Sequence, residues 1–222
     1  CTFPPSYRGP DLLDCAEQQE LTAATTVPVI LARLVQEPLE GRELERLRFM
    51  RIGTGAPDMG MAREFEARTG CRVVVASGSM ECTGFGHAAV HEDISVRLNG
   101  SVGLPLRTGE LRIEDENGNE VSAGISGELK ARAPFGSSGY WMDPEATAKA
   151  WKNGWYSTGD IGIIDENGRL TLMGRLKFTI NRSGLKVLPI ELELAISAYG
   201  EVLDCAVVAA PDPAYGEVPV AF

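Results

Sequence analysis

Leu47-Arg48-Phe49-Met50-Arg51-Ile52 runs into Gly53-Thr54-Gly55-Ala56-Pro57. A charged stretch from Asp58 to Thr69 follows, then Arg72-Val73-Val74-Val75-Ala76 with Ser77-Gly78-Ser79 behind it. The two short apolar runs have the length of buried strands, and the residues between them have helical spacing. Each predicted strand ends in a turn of small residues, at 53–57 and at 77–79. Strands alternating with a helix argue for a parallel or mixed sheet covered on its faces. Ligands of such sheets sit beyond the carboxyl ends of the strands, so the two small-residue turns mark a candidate site.

Working outward, Asp11 to Glu20 reads as a short helix and Thr22 to Thr26 as a β-branched strand. Pro28 stands where a first helical turn tolerates proline, and Val29 to Val35 continues at helical spacing. From Ile94 to Met173 the character changes to short strands with close turns. Asp115-Glu116-Asn117-Gly118 and Asp165-Glu166-Asn167-Gly168 are tight-turn sequences between alternating apolar residues. A small, mostly antiparallel β unit is expected there, with one helix near Pro144 to Trp151. The last stretch predicts a strand at Phe178 to Asn181, a helix from Pro189 to Tyr199 and a strand at Val202 to Ala210 with few visible partners. The division expected is 1–93, 94–176 and 177–222.

The chain has 222 residues, 31 acidic against 21 basic side chains and a formal net charge of -10. Hydrophobic residues at 44% and charged residues at 23% describe a globular chain rather than a disordered one. The acidic balance repels phosphate backbones and the basic residues are scattered singly, which argues against nucleic acid as a partner. No apolar run approaches the roughly 18 residues that span a bilayer. Cys1, Cys15, Cys71, Cys82 and Cys205 are widely spaced with no CxxC pair, which predicts reduced thiols and a cytoplasmic setting. The chain opens at Cys1 without Met or a basic-then-apolar leader, so it is expected to be processed or part of something longer.

Several chemical signals are weak. His87 and His91 are four apart and could share a helix face with Cys82 or Glu92 nearby, but too few further ligands are arguable for a metal site. The Asp-Glu-Asn-Gly turns resemble the start of a calcium loop, yet no glutamate closes either in register, so hairpin turns are expected. There is no Gly-x-Ser-x-Gly elbow and no Walker lysine loop.

A collinear series of segments is stronger. It comprises Gly53-Thr54-Gly55-Ala56-Pro57, Gly78-Ser79-Met80-Glu81, and Gly139-Tyr140-Trp141 with Pro144-Glu145-Ala146-Thr147. It continues through Gly154-Trp155-Tyr156-Ser157-Thr158-Gly159-Asp160, Gly174-Arg175-Leu176-Lys177, and Gly184-Leu185-Lys186-Val187 with Pro189-Ile190-Glu191-Leu192-Glu193. With these, nearly the whole chain resembles the adenylate-forming (AMP-binding) superfamily of acyl-CoA synthetases, luciferases and nonribosomal-peptide adenylation domains.

The resemblance implies an α/β fold. The expected parts are the second half of a large domain, with an α/β part and a small β-barrel-like part, followed by the start of a small α+β domain. It implies a reaction in which a carboxylic acid and ATP give an acyl adenylate, which then passes to the thiol of CoA or of a carrier-protein pantetheine. Gly55, Ala56 and Pro57, with Ser77, Gly78, Ser79 and Met80, would surround the nucleotide; glycine lets backbone approach a flat ring closely. Glu81 would hold Mg2+ beside the phosphates, since a hard cation takes carboxylate oxygen. Asp160 would accept hydrogen bonds from both ribose hydroxyls, and Arg175 would reach ribose and phosphate with its forked, permanent charge. Lys177 falls at the hinge between the two domains, and Gly184 would leave room in the wall of the thiol tunnel.

The chain departs from the family pattern at Ser77, where an aromatic usually stands, at Met80, where a phosphate-binding threonine is usual, and at Phe178, where aspartate usually follows the hinge. The family's phosphate loop and its terminal lysine have no counterpart in these 222 residues, which predicts a stretch nearly inactive on its own. A non-catalytic homologue that binds a nucleotide or acyl adenylate and an adenylation domain feeding a carrier protein are the alternatives.

Overall fold

The computed structural model describes residues 1–222 except 56, 88–90, 135, 198, 200, 201, 203 and 204, and the side chains of His87 and Leu194 are not described. It is a mixed α/β structure built on three sheets.

The first sheet follows the quoted stretch. α1 (Gly9–Gln18), β1 (Ala23–Thr26), α2 (Pro28–Val35), β2 (Phe49–Ile52), α3 (Met59–Thr69) and β3 (Arg72–Ser79) alternate as expected. β1, β2 and β3 pair in parallel, and β4 (Thr83–His87) and β5 (Leu104–Pro105) extend the sheet antiparallel, after the short helix α4 (Ile94–Arg97). Four consecutive residues, Val73 to Ala76, are buried, the pattern of a strand covered on both faces. Asp58 caps α3 by accepting from the Met61 N–H at 2.7 Å, and Gly70, at φ +71°, ends it. Phe65 and Ala62 are fully buried on its inner face.

Arg97, only 2% exposed, fastens this unit. Its guanidinium donates to Glu66 Oε1 and Oε2 at 2.5 and 2.9 Å and to the carbonyls of Val73 and Glu92, tying α3, β3 and α4 together.

One expectation fails here. Ser77-Gly78-Ser79 is the end of β3 and not a turn; the turn is Met80 to Cys82. β4 folds back so tightly that a Cβ on Gly78 would lie 2.0 Å from the Thr83 carbonyl oxygen, and the register slips between Ser77 and Gly78. Glycine is required by close approach of a second strand, not by a turn.

The second sheet is the antiparallel unit, ordered β10-β9-β7-β6: β6 (Glu110–Glu114), β7 (Gly127–Arg132), β9 (Trp155–Ile164) and β10 (Leu170–Arg175). α5 (Pro144–Ala150) lies in the connection, and β8 (Trp151–Lys152) pairs with β9. Both Asp-Glu-Asn-Gly segments are tight turns. Asp115 accepts from the N–H groups of Asn117 and Asn119, and Asp165 from those of Asn167 and Arg169, all at 2.8 Å. Gly118 and Gly168 take φ near +80° to close them, as +81° and +77°. The first two sheets join where Gly103 bridges Leu170 and the Ser101 hydroxyl donates to the Leu170 carbonyl at 2.8 Å.

The third sheet is ordered β12-β11-β14-β13, with β11 (Ile180–Arg182), β12 (Leu185–Val187), β13 (Val207–Asp212) and β14 (Gly216–Ala221), and carries α6 (Pro189–Ser197). Phe178 belongs to a 3-10 turn, Leu176–Phe178, so the strand expected from it begins at Ile180. β13 is not short of partners: β14 pairs with it along its whole length, from Val207 opposite Ala221 to Asp212 opposite Gly216.

Candidate functional site

The predicted residues gather around the ends of β3, β9 and β10. The turn after β3 presents Glu81, and its backbone is pinned from the second sheet's side: the Glu81 carbonyl accepts from the Ser137 N–H at 2.7 Å. The Ser79 hydroxyl accepts from the Cys82 N–H at 3.2 Å. The Tyr140 hydroxyl donates to Glu81 Oε1 at 2.9 Å.

Burial alone would raise the Glu81 carboxyl. Its own backbone N–H and the hydroxyls of Tyr140, Ser79 and Tyr156 outweigh that and hold it below the ordinary glutamate value. The price appears on the donors. Hydrogen bonding to Glu81 raises the Tyr140 phenol, and burial, reinforced by the Glu81 charge, raises Tyr156. Glu81 therefore stays an acceptor, which suits a cation.

Glu81, Tyr156, Trp151, Arg132, Ser137 and Ser138 face a cavity of about 310 Å3. Met80, one residue before, is 96% exposed and brings no hydroxyl.

β9 carries the second group. Tyr156, Thr158 and Asp160 are buried at alternating positions in its first half, followed by buried Ile161 and Gly162. The Thr158 hydroxyl donates to the Leu129 carbonyl at 2.8 Å and accepts from the Asp160 N–H at 3.0 Å. Gly159 between them is at φ +70°, a conformation in which a side chain would strain the strand. Asp160 lies opposite Arg175 in the β9–β10 register, with Arg175 Nε 2.7 Å from Asp160 Oδ1. Burial raises the Asp160 carboxyl, and the Arg175 charge only partly offsets it.

Other predicted residues sit apart. Gly55 and Pro57 follow β2, whose exit is fixed by the Gly53 N–H donating to the Thr26 carbonyl at 3.0 Å; Pro57 is buried and Gly55 exposed. Ala56 lies outside the described residues. Lys177, in the 3-10 turn directly after Arg175, has its ammonium 4.7 Å from the Phe178 ring centre.

Gly184, at φ +89°, closes the β11–β12 hairpin with Ser183 at φ +50°. Its N–H donates to Asn181 Oδ1 at 2.9 Å, and a Cβ there would meet nothing within 4 Å. Among the described residues no group of three or more His, Cys, Asp or Glu side chains could hold a metal; the His87 side chain is outside them. The five cysteines are free, and no helix among the described residues is long and apolar enough to cross a membrane.

Two side chains at this cavity escaped the sequence reading. Tyr140 and Tyr156 stood within quoted segments, but nothing in their spacing announced that one would bond Glu81 and the other line the same cavity.

Residues 1–141 match the family model described as AMP-binding enzyme. The chain is 33% identical over 219 residues to a long-chain-fatty-acid–CoA ligase of Yersinia pestis, covering 96% of this chain and 38% of that protein. It is 32% identical over 223 residues to triostin synthetase I of Streptomyces triostinicus, covering 98% and 41%. Among solved structures, ATP-bound MatB from Rhodopseudomonas palustris matches with a TM-score of 0.88 at 31% identity, over 99% of this chain and 43% of that one. The chain spans well under half the length of these relatives. The motif order, the mixed α/β fold and these matches agree: the chain belongs to the AMP-binding enzyme family, the adenylate-forming superfamily.

Proposed function

We propose that this chain forms part of an AMP-forming acid–thiol ligase. A carboxylate oxygen attacks the α-phosphorus of ATP, the bond to the β-phosphate oxygen breaks, and acyl adenylate and pyrophosphate result. A thiol then takes the acyl group as a thioester, releasing AMP. CoA is the thiol favoured, because the relatives include CoA ligases; a carrier-protein pantetheine is the alternative acceptor.

The observation that carries this reading is the placement of two groups by one strand. β9 lines the Glu81 cavity with Tyr156, and at Asp160 it meets Arg175 at 2.7 Å. Asp160 would accept from the ribose hydroxyls, and the half-exposed Arg175 would turn its remaining donors to ribose or phosphate. Gly55, Ala56 and Pro57, with Ser77, Gly78, Ser79 and Met80, would surround the nucleotide.

Glu81 fits Mg2+, a cation bound through one or two carboxylates plus substrate phosphates: it is a single carboxylate kept ionised by its donors. When bound, that ion neutralises charge on the phosphates; the chain's own part is to present an oriented carboxylate. Lys177 would be the pivot between segments 94–176 and 177–222, with 1–93 as the α/β part, and Gly184 would border the path of the thiol. The free cysteines support a cytoplasmic setting.

The test is pyrophosphate release by the complete gene product with aliphatic, aromatic and amino acids. Acid-dependent release, followed by thioester formation with CoA, is expected. No release with any acid would sink the reading. Binding of AMP without turnover would favour the non-catalytic homologue, to which the exposed Met80, lacking a hydroxyl, points.

A further inference from the structure

We infer that Tyr140 is a positioning residue for Glu81: its hydroxyl fixes the carboxylate in one orientation toward a nucleotide-bound divalent cation. This rests on the reading of Glu81 as the cation-facing group.

Glu81 lies on the turn between β3 and β4, and its side chain has three rotatable bonds. The turn's backbone is anchored by Ser137, so the carboxylate is the part left to fix. Tyr140 does so from the connection before α5, donating to Oε1 at 2.9 Å. Tyr156, on β9, is buried beside Trp151 and faces the same cavity as Glu81.

Neither ring is free to wander. The Tyr140 N–H donates to Thr147 Oγ1 at 2.9 Å. Trp151 stands between the two tyrosines, 5.2 Å from Tyr140 in an edge-on contact and 5.0 Å from Tyr156. The row Tyr140–Trp151–Tyr156 thus joins α5's connection, β8 and β9 behind one carboxylate. A carboxylate has about four acceptor sites. Donors held on one part of it leave the remainder for a cation. Through Trp151 and Tyr156 the support behind Tyr140 rests on β9, the strand that also carries the ribose-facing Asp160.

The experiment uses the complete gene product without carboxylic acid. Mn2+·ATP retention is read by electron paramagnetic resonance and AMP binding in chelator by calorimetry. Tyr140→Phe keeps the ring and its contact with Trp151 and removes only the hydroxyl. Mn2+·ATP binding is expected to weaken about 10-fold, the lower end for losing a partner of a metal-binding carboxylate, with AMP affinity unchanged.

Glu81→Gln should weaken Mn2+·ATP at least as much, and Tyr140→Phe added to it should change little further. Equal losses of AMP and Mn2+·ATP in Tyr140→Phe would mean a packing role and overturn the inference. So would wild-type Mn2+·ATP binding in Tyr140→Phe while Glu81→Gln loses it. Wild-type Mn2+·ATP binding in Glu81→Gln would instead remove the reading of Glu81 itself, and the inference with it.

Discussion

Asp160 is buried on β9, and burial raises its carboxyl above the ordinary 3.8 despite the neighbouring Arg175. The folded state therefore holds the Asp160 proton more tightly than the unfolded chain. The associated stability is fully present below about pH 3.8 and is lost as pH rises through the higher folded value. Asp160→Asn removes a charge that the fold disfavours at neutral pH. It should raise the thermal midpoint at pH 7 relative to the native chain, with the difference vanishing in acid, as pH-resolved melting would show. Nucleotide binding should move the other way. Asparagine keeps one acceptor oxygen but loses the other and the charge. Losing one charge-assisted bond to a ribose hydroxyl costs about 1.5–3 kcal/mol, roughly 10- to 150-fold in the AMP dissociation constant. Melting that is unchanged, or lower at pH 7, would show that the Arg175 contact outweighs burial. Asp160 and Arg175 were legible in the sequence because each lies in a segment of fixed residue types. Their 2.7 Å contact was not, because it depends on the register of two strands.

Among the elements, the helix–strand alternation up to β3 could be read directly, since caps and burial there are local. Asp58 and Gly70 bound α3, and the apolar run Val73 to Ala76 needs no partner to be recognised as core. The two misreadings share a different cause. Ser77-Gly78-Ser79 looks like a turn until β4 is laid against it, when Gly78 becomes the only residue type that clears Thr83. β14 was hidden by Pro219, which ordinarily argues against a strand. It is tolerated because β14 meets β11 in register only at Gly216, leaving its outer side near Pro219 without a ladder to break. Arg97 offers a test at this scale. Arg97→Met strands the Glu66 carboxylate with 12% side-chain exposure. It should destabilise the fold by about 3–5 kcal/mol in denaturant unfolding. Adding Glu66→Leu should recover part of that; the Val73 N–H, which donates to Glu66 Oε1 at 2.6 Å, and the Val73 carbonyl, which accepts from Arg97, lose these partners and account for the rest. A loss below about 1 kcal/mol in the single variant would contradict the fastening role.

Across the whole molecule the three sheets are joined very differently. The first and second share a backbone bridge at Gly103 and Leu170 and an Arg169–Glu92 ion pair. Between the second and third sheets stands the Lys186–Glu116 pair at 2.6 Å, with side chains 46% and 76% exposed, beside a cavity of about 600 Å3 that both residues line. A pair this exposed contributes little. Glu116→Gln should shift the unfolding free energy by less than about 1 kcal/mol, at low and at high salt alike. A larger shift would mean that this contact fixes the third sheet. Family membership was legible at this scale because the motif order survives across the chain. The support behind Glu81 was not, since Tyr140 lies 59 positions away and only folding brings it there.

The aromatic row behind Glu81 also gives the site an optical voice. Trp151 is the indole held between two phenols, whereas Trp141 is 91% exposed and Trp155 lies under the guanidiniums of Arg112 and Arg132 at 4.1 and 4.6 Å. A ligand that draws Glu81 forward pulls on Tyr140, and with it on the surroundings of Trp151. Nucleotide binding should therefore change the intrinsic fluorescence without any label, and Trp151→Phe should silence that change while Trp141→Phe leaves it intact.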